Sequence, residues 1–272
     1  MLRKCFILSS VLFFSVNAQA GFFGDSNDFK CGREDAVKAL QDYIRGEAEG
    51  LLQSNYITNT TIFYGKDLQV FQEKLNSISI NASNVTTASN TGSELNCKAT
   101  IAIKIPTETL DVVKDNPNYL SRLLSNGGML NKGSVVWSDY SYSIKLADNK
   151  KDISVSRISY ITGALYQATI LAVTKDDIIS RNYNEKLNGV KNDYISQDAY
   201  LNDVWKRLPD AIRSSMKKEQ VAWVNEKVTK CGKLSDAESA TTPSQNRIKI
   251  YQCQTKMTQE RIAFLGGDRE YD

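Results

Sequence analysis

LNDVWKRL (201–208), PDAIRSSMKKEQVAWVNEKVTKC (209–231) and RIKIYQCQTKMTQERIAFL (247–265) decide the reading of the C-terminal third of this chain. Trp223, Lys227 and Cys231 recur at intervals of four. On a helix that interval stacks an aromatic ring, a cation and a thiol on one stripe. Cys253, Met257 and Arg261 repeat the interval on the next segment. Pro209 interrupts the first apolar stripe (Leu201, Val204, Trp205, Leu208), and Gly232 is a natural stop after Cys231. The pattern predicts helices joined by a polar loop over Lys233–Asn246 and closed by a Cys231–Cys253 bridge.

Upstream the periodicity changes. Ala36, Val37, Leu40, Ile44, Ala48 and Leu51 follow a 3.6-residue repeat, predicting a helix over about Arg33–Leu52. Asp67 is placed to cap a second, short helix. Leu95, Cys97, Ala99, Ile101, Ile103 and Ile105 alternate with other residues, the cleanest strand signal in the chain, and Asn90-Thr91-Gly92-Ser93 supplies its turn. Pro106 ends that strand, and Asn116-Pro117 restarts a helix after Thr107–Asp115. Val136, Tyr140, Tyr142, Ile144 and Leu146 share one phase of a second hairpin that returns through Ile153 and Val155. Residues 161–173 are apolar throughout and fit helix or strand; Ile161, Leu165, Ala168 and Ala172 favour helix.

The expected fold class is α+β: an N-terminal α+β domain with antiparallel hairpins (28–175), a linker or connecting helix (176–197), and a small disulfide-stapled all-α domain (198–266). A leader precedes them. Arg3 and Lys4, the apolar run Cys5–Val16 and the small-residue triplet Ala18-Gln19-Ala20 make residues 1–20 an expected signal peptide, with Gly21 opening the mature chain. That run is shorter than the ~20 apolar residues a spanning helix needs, and no later run reaches that length, so no membrane span is expected. The expected location is periplasmic or secreted.

Cys5 leaves with the leader, so Cys31, Cys97, Cys231 and Cys253 remain. An even count in an oxidising compartment reads as two disulfides. Three pairings are open. The sequence-local pair Cys31–Cys97 with Cys231–Cys253 is favoured because each half then carries its own staple.

Chemistry is bounded by what is missing. The chain has no histidine, which removes Ser–His–Asp and Cys–His nucleophile systems and the usual zinc sites. No glycine-rich phosphate loop appears, so no cofactor is implied. Ser214 and Lys217 form a Ser-x-x-Lys quartet without the companion motifs of penicillin-binding enzymes. No two acids are marked as a buried glycosidase pair. A formal charge of +3, less the leader's two cations Arg3 and Lys4, leaves +1, too little to draw in nucleic acid. The reading is a non-enzymatic protein.

The C-terminal motif resembles the LprI-type lysozyme-inhibitor family of small exported bacterial domains. Leu201, Asn202 and Leu208 fit that family's Leu-Asn-x-x-Tyr-x-x-Leu, with Trp205 for the Tyr. Gln220, Trp223 and Cys231 fit its Gln-x-x-Trp-x-x-x-Arg-x-x-x-Cys, with Lys227 for the Arg; Cys253, Thr258, Arg261 and Leu265 complete the pattern. Members often carry a further cysteine pair upstream, and residues 176–200 have none. Losing both together leaves Cys231–Cys253 as the surviving pair. Lys227 lacks the planar two-pronged donor set of Arg, which puts a carboxylate clamp there in question.

The resemblance implies a bacterial envelope protein that binds and inhibits lysozyme. Trp223, Lys227 and Arg261 are candidate binding residues, set against the plainer expectation that they cover one another on a helical face. Ser235, Asp236 and Glu238, after Cys231, are the candidate acidic and polar contacts for a basic lysozyme. The competing expectation is an interaction module in which the helical unit is an adaptor and the α+β half holds another envelope protein.

Overall fold

The computed structural model describes residues 29–92, 94–114, 116–124, 127–156 and 160–267. The expected leader, Ser93 and Asn126 lie outside the described residues. The chain divides into two compact units. Among the described residues, one holds those up to Tyr43, Asn81–Ile101 and those from Ser138 to Ser156; the other holds Ile44–Ile80, Ala102–Trp137 and those from Tyr160 to Gly267.

Helix α1 spans Glu34–Thr58, six residues beyond the sequence estimate. Its Ala36, Leu40, Ile44, Ala48 and Leu52 are all fully buried, four residues apart throughout. A 3₁₀ turn (Thr60–Phe63) leads to α2 (Leu68–Ser77). Asp67 stands at the cap of α2 in extended backbone, but its side chain makes no capping bond. The other end of α2 is held from α1: Arg45 donates from Nη1 to the Leu75 carbonyl at 2.6 Å and from Nη2 to the Ile78 carbonyl at 3.0 Å. A guanidinium there satisfies carbonyls that the helix end leaves open.

Strands β1 (Ile80–Asn90) and β2 (Leu95–Lys104) form the first hairpin. Its turn is closed by Thr91 N–H donating to the Glu94 carbonyl, with Gly92 at φ 86°. The expected alternation of β2 is present, with Leu95, Cys97, Ala99, Ile101 and Ile103 buried. Cys97 is joined to Cys31, with Cα atoms 5.7 Å apart.

Two short helices follow, α3 (Thr107–Lys114) and α4 (Pro117–Leu123). Asn116 caps α4 by accepting from Asn118 N–H, with Pro117 at the first helical position. Strands β3 (Met129–Asn131), β4 (Ser134–Leu146) and β5 (Ile153–Ser156) complete a five-stranded sheet of order β1-β2-β4-β3, with β5 also on β4. Both β3 and β5 run antiparallel to β4, Val136 lying opposite Met129 and Ile144 opposite Val155.

Within β4 the single apolar phase expected from Val136 onward is not kept. Val135 and Trp137 are buried at one end, and Tyr142 and Ile144 at the other. Asp139 lies between them at φ 52°, the local irregularity of a bulge, which shifts the side-chain alternation by one residue. The Tyr142 hydroxyl is buried with no hydrogen-bond partner among the described residues, and burial pushes this phenol up to about 12. Removing an orphaned hydroxyl while keeping the ring relieves its desolvation. Tyr142→Phe should therefore raise stability by about 1–2 kcal/mol, read as an increased urea midpoint with unchanged slope.

Residues 161–173 form helix α5, against α2, α3 and α4. Ten of its 13 residues are buried, which explains why neither period stood out. Thr109 Oγ1 on α3 donates to the Ala168 carbonyl of α5 at 2.7 Å.

The remainder is helical. Helix α6 is one continuous rod from Lys175 to Arg207. Helix α7 spans Asp210–Cys231, α8 Leu234–Glu238 and α9 Ser244–Phe264. Pro209 marks the α6–α7 break, and Gly232 at φ 92° ends α7. The polar loop expected over 233–246 is part helix: Ala237 of α8 is fully buried against α9, and this apolar anchor inside a polar run draws it into a turn.

Helix α9 is the hub, packing on α6, α7 and α8. Leu187 and Tyr194 of α6 meet Ile248 and Tyr251 of α9, and further along Leu201 and Val204 meet Ile262, so these two helices run in the same direction. Helix α7 runs against them, with Cys231 bonded to Cys253 and Arg261 beside Gln220. Among the described residues no helix is long and apolar enough to cross a membrane.

Candidate functional site

The α7 stripe lands on the α6–α9 pair and is buried there. Lys227 is only 6% exposed. Its ammonium donates to Thr258 Oγ1 at 3.3 Å and lies 3.5 Å from Asp198 Oδ1 of α6. It also sits 4.9 Å from the centre of the Trp223 ring and 5.4 Å from that of Tyr194. Burial lowers the Lys227 pKa, and the Asp198 carboxylate works against that. Tyr194 is pushed up, first by burial and then by the same Asp198, to which its hydroxyl donates at 3.3 Å.

Arg261 is the second buried cation, also 6% exposed. Its Nε donates to Gln220 Oε1 at 2.8 Å and its Nη1 to Glu219 Oε1 at 2.7 Å. The guanidinium stands 5.7 Å from the Trp223 ring and 4.6 Å from that of Phe264. Half-buried Trp223 thus has a cation against it from each of two helices. Its place among Leu201, Val204 and Ile262 is that of a core-edge aromatic with an open side.

That open side is a groove of about 380 Å³, a size that accepts a single side chain. Tyr194, Asp198, Trp223 and Lys227 line it, with Ser235 of α8 and Gln254 of α9. Gln254 is fully buried; its Nε2 donates to the Gly232 carbonyl at 2.8 Å, and its Oε1 has no partner among the described residues. Asp198 already answers Lys227 and Tyr194, and the Gln254 amide oxygen is buried, so the groove presents an aromatic wall beside a compensated charge pair.

Of the residues singled out in the sequence, Trp223, Lys227 and Ser235 line this groove, and Arg261 stands 5.7 Å from the Trp223 ring without lining it. Asp236 and Glu238 are exposed on α8 and are not among its lining residues. Sequence reasoning missed Tyr194, Asp198 and Gln254. The spacing of Tyr194 and Asp198, one turn apart on α6, was the available signal, in a stretch whose polarity hid it.

Residues 182–265 match the family model described as Lysozyme inhibitor LprI. No curated protein and no solved structure matches the chain. The LprI match begins upstream of the 198–266 span read from the motif. It takes in the part of α6 that carries Tyr194 and Asp198, so every lining residue of the groove falls within it.

A buried ammonium costs desolvation, and an apolar isostere does not. Lys227→Met should raise thermal stability slightly at pH 7. The sign follows from the lowered pKa: below the folded value the native state carries a proton that the unfolded chain holds more tightly, so the wild type is penalised there. The penalty fades as pH rises from the folded value toward the reference 10.5, and the gap between variant and wild type should narrow over that window. Parallel melting curves from neutral to alkaline pH check this; a gap that widens contradicts it.

Proposed function

We propose that this is an exported, non-catalytic bacterial envelope protein whose LprI-matching helices bind lysozyme and block it. One coincidence carries the reading: the groove between Tyr194, Trp223 and Lys227 is built wholly from the residues that match a lysozyme-inhibitor family. Exposed Glu219, Asp236 and Glu238, all within the matched residues, supply attraction for a basic partner. The α+β part upstream is proposed as a separate domain that presents this unit.

The experiment is a cell-wall turbidity assay with the purified mature chain. Inhibition is expected at micromolar protein, and Trp223→Ala should weaken it about tenfold or more, since a central aromatic anchor commonly dominates such interfaces. Full lysozyme activity at that concentration would sink the proposal. Inhibition that survives deletion of everything after Leu187 would instead place the activity in the upstream region. N-terminal mass analysis of protein recovered from the envelope should find Gly21 as the first residue.

A further inference from the structure

A second cavity lies upstream of the LprI match, and all of its lining residues belong to the second compact unit. It measures about 330 Å³ and is walled by the end of α1, the 3₁₀ turn, α4, α5 and the start of α6. Arg122 and Arg181 both line it, and none of its lining residues is Asp or Glu. Its apolar wall is Ile62, Ile170 and Leu171.

The two guanidiniums differ in how they are held. Arg181 donates from Nη2 to the Tyr119 hydroxyl at 3.1 Å and stands 5.7 Å from the centre of the Tyr64 ring. Its Nε is 3.8 Å from Glu185 Oε1, an exposed carboxylate outside the lining. Arg122 is exposed, with no hydrogen bond or ion pair among the described residues. One cation is fixed in place and the other is left without a counter-charge.

The aromatic wall is held at a conformational cost. Tyr64 adopts the left-handed backbone at φ 52°, unusual for a bulky residue. The neighbouring Phe63 explains how that is sustained. It is buried edge-on against Tyr56 and Phe71, with ring centres 5.0 and 4.9 Å away, and so fixes the turn that presents Tyr64. Backbone strain that the surroundings enforce clusters at binding sites. Both Tyr64 and Tyr166 carry neutral phenols around neutral pH, and burial raises them further above their ordinary range.

We propose that this cavity binds a small organic carboxylate, its charge taken by Arg122 and Arg181 and its body by Tyr64 and the Ile62–Ile170–Leu171 wall. The site is independent of lysozyme binding. Three probes test it on the full mature chain by calorimetry: 4-hydroxybenzoate, the neutral 4-hydroxybenzyl alcohol, and inorganic phosphate. The benzoate should bind with a dissociation constant of about a millimolar, as its size permits. The alcohol and phosphate should each bind about tenfold more weakly or worse, because one lacks the charge and the other the apolar body. Arg122→Gln should weaken the benzoate about tenfold with a nearly unchanged melting temperature, since that exposed side chain makes no hydrogen bond or ion pair among the described residues. Equal binding of the alcohol, equal binding of phosphate, indifference to Arg122→Gln, or no benzoate binding at ten times the expected constant would each overturn the proposal.

Discussion

Exchanging Cys231 and Cys253 together for Ser is expected to cost about 3 kcal/mol of stability, from the loop entropy released when a bridge of this span is opened. The bridge closes 22 residues between α7 and α9. That loop contains α8 and Gly232, so its loss frees the wall that carries Ser235. The other bridge closes 66 residues, and the same reasoning gives about 4 kcal/mol for Cys31 and Cys97. The two pairs should also separate by function. Under the proposed function, loss of Cys231–Cys253 should reduce lysozyme inhibition, and loss of Cys31–Cys97 should leave it in place wherever the protein remains folded. Denaturant curves for each double-Ser variant, alongside the turbidity assay, measure both. A loss under about 1 kcal/mol for the 231–253 pair would mean that packing on α9 already restrains these helices in the unfolded ensemble.

Arg261→Ala should be the most damaging point change in the helical region. It deletes a buried guanidinium that donates to Gln220 and Glu219 and lies against Trp223 and Phe264. Truncation there leaves a void beneath Trp223 and strands the Gln220 amide, for an expected loss of about 3 kcal/mol. Little of that belongs to the ion pair. The Glu219 side chain is 54% exposed, so a double-mutant cycle between the two should return a coupling of about 0.2–1 kcal/mol. Arg261→Lys separates shape from charge. A single ammonium cannot reach Gln220 and Glu219 in the geometry of the planar fork, and it should recover less than half of the loss. Trp223 fluorescence reports the local change and urea denaturation the total. Near-wild-type stability of Arg261→Ala would mean that the void collapses at no cost.

The C-terminal reading and its outcome share a cause. Trp223, Lys227 and Cys231 at intervals of four, and Cys253 and Arg261 at intervals of eight, put two stripes on two helices, and the bridge sets those stripes face to face. What lay opposite Lys227 was not legible. Asp198 is 29 positions away on a helix whose surface is mostly polar, and only packing brings it within 3.5 Å. The single expected phase of β4 failed for a related reason. A left-handed residue at Asp139 costs little in sequence terms, yet it moves every later side chain to the other face.

By itself the sequence determined the local periods: the buried ladder of α1, the alternation of β2, and the breaks at Pro209 and Gly232; it favoured the Cys231–Cys253 bridge among three open pairings and carried a resemblance to the LprI family at its helical end. The periods depend on neighbours within a turn or two, where backbone geometry alone ties spacing to face. Tertiary structure alone decided which cation is buried against which carboxylate, that 233–246 contains a helix, and that residues from α1, α4, α5 and α6 close around a cavity carrying two arginines. Those outcomes turn on contacts between distant segments, whose free energy is the balance of burial and desolvation after packing, and no local spacing encodes it.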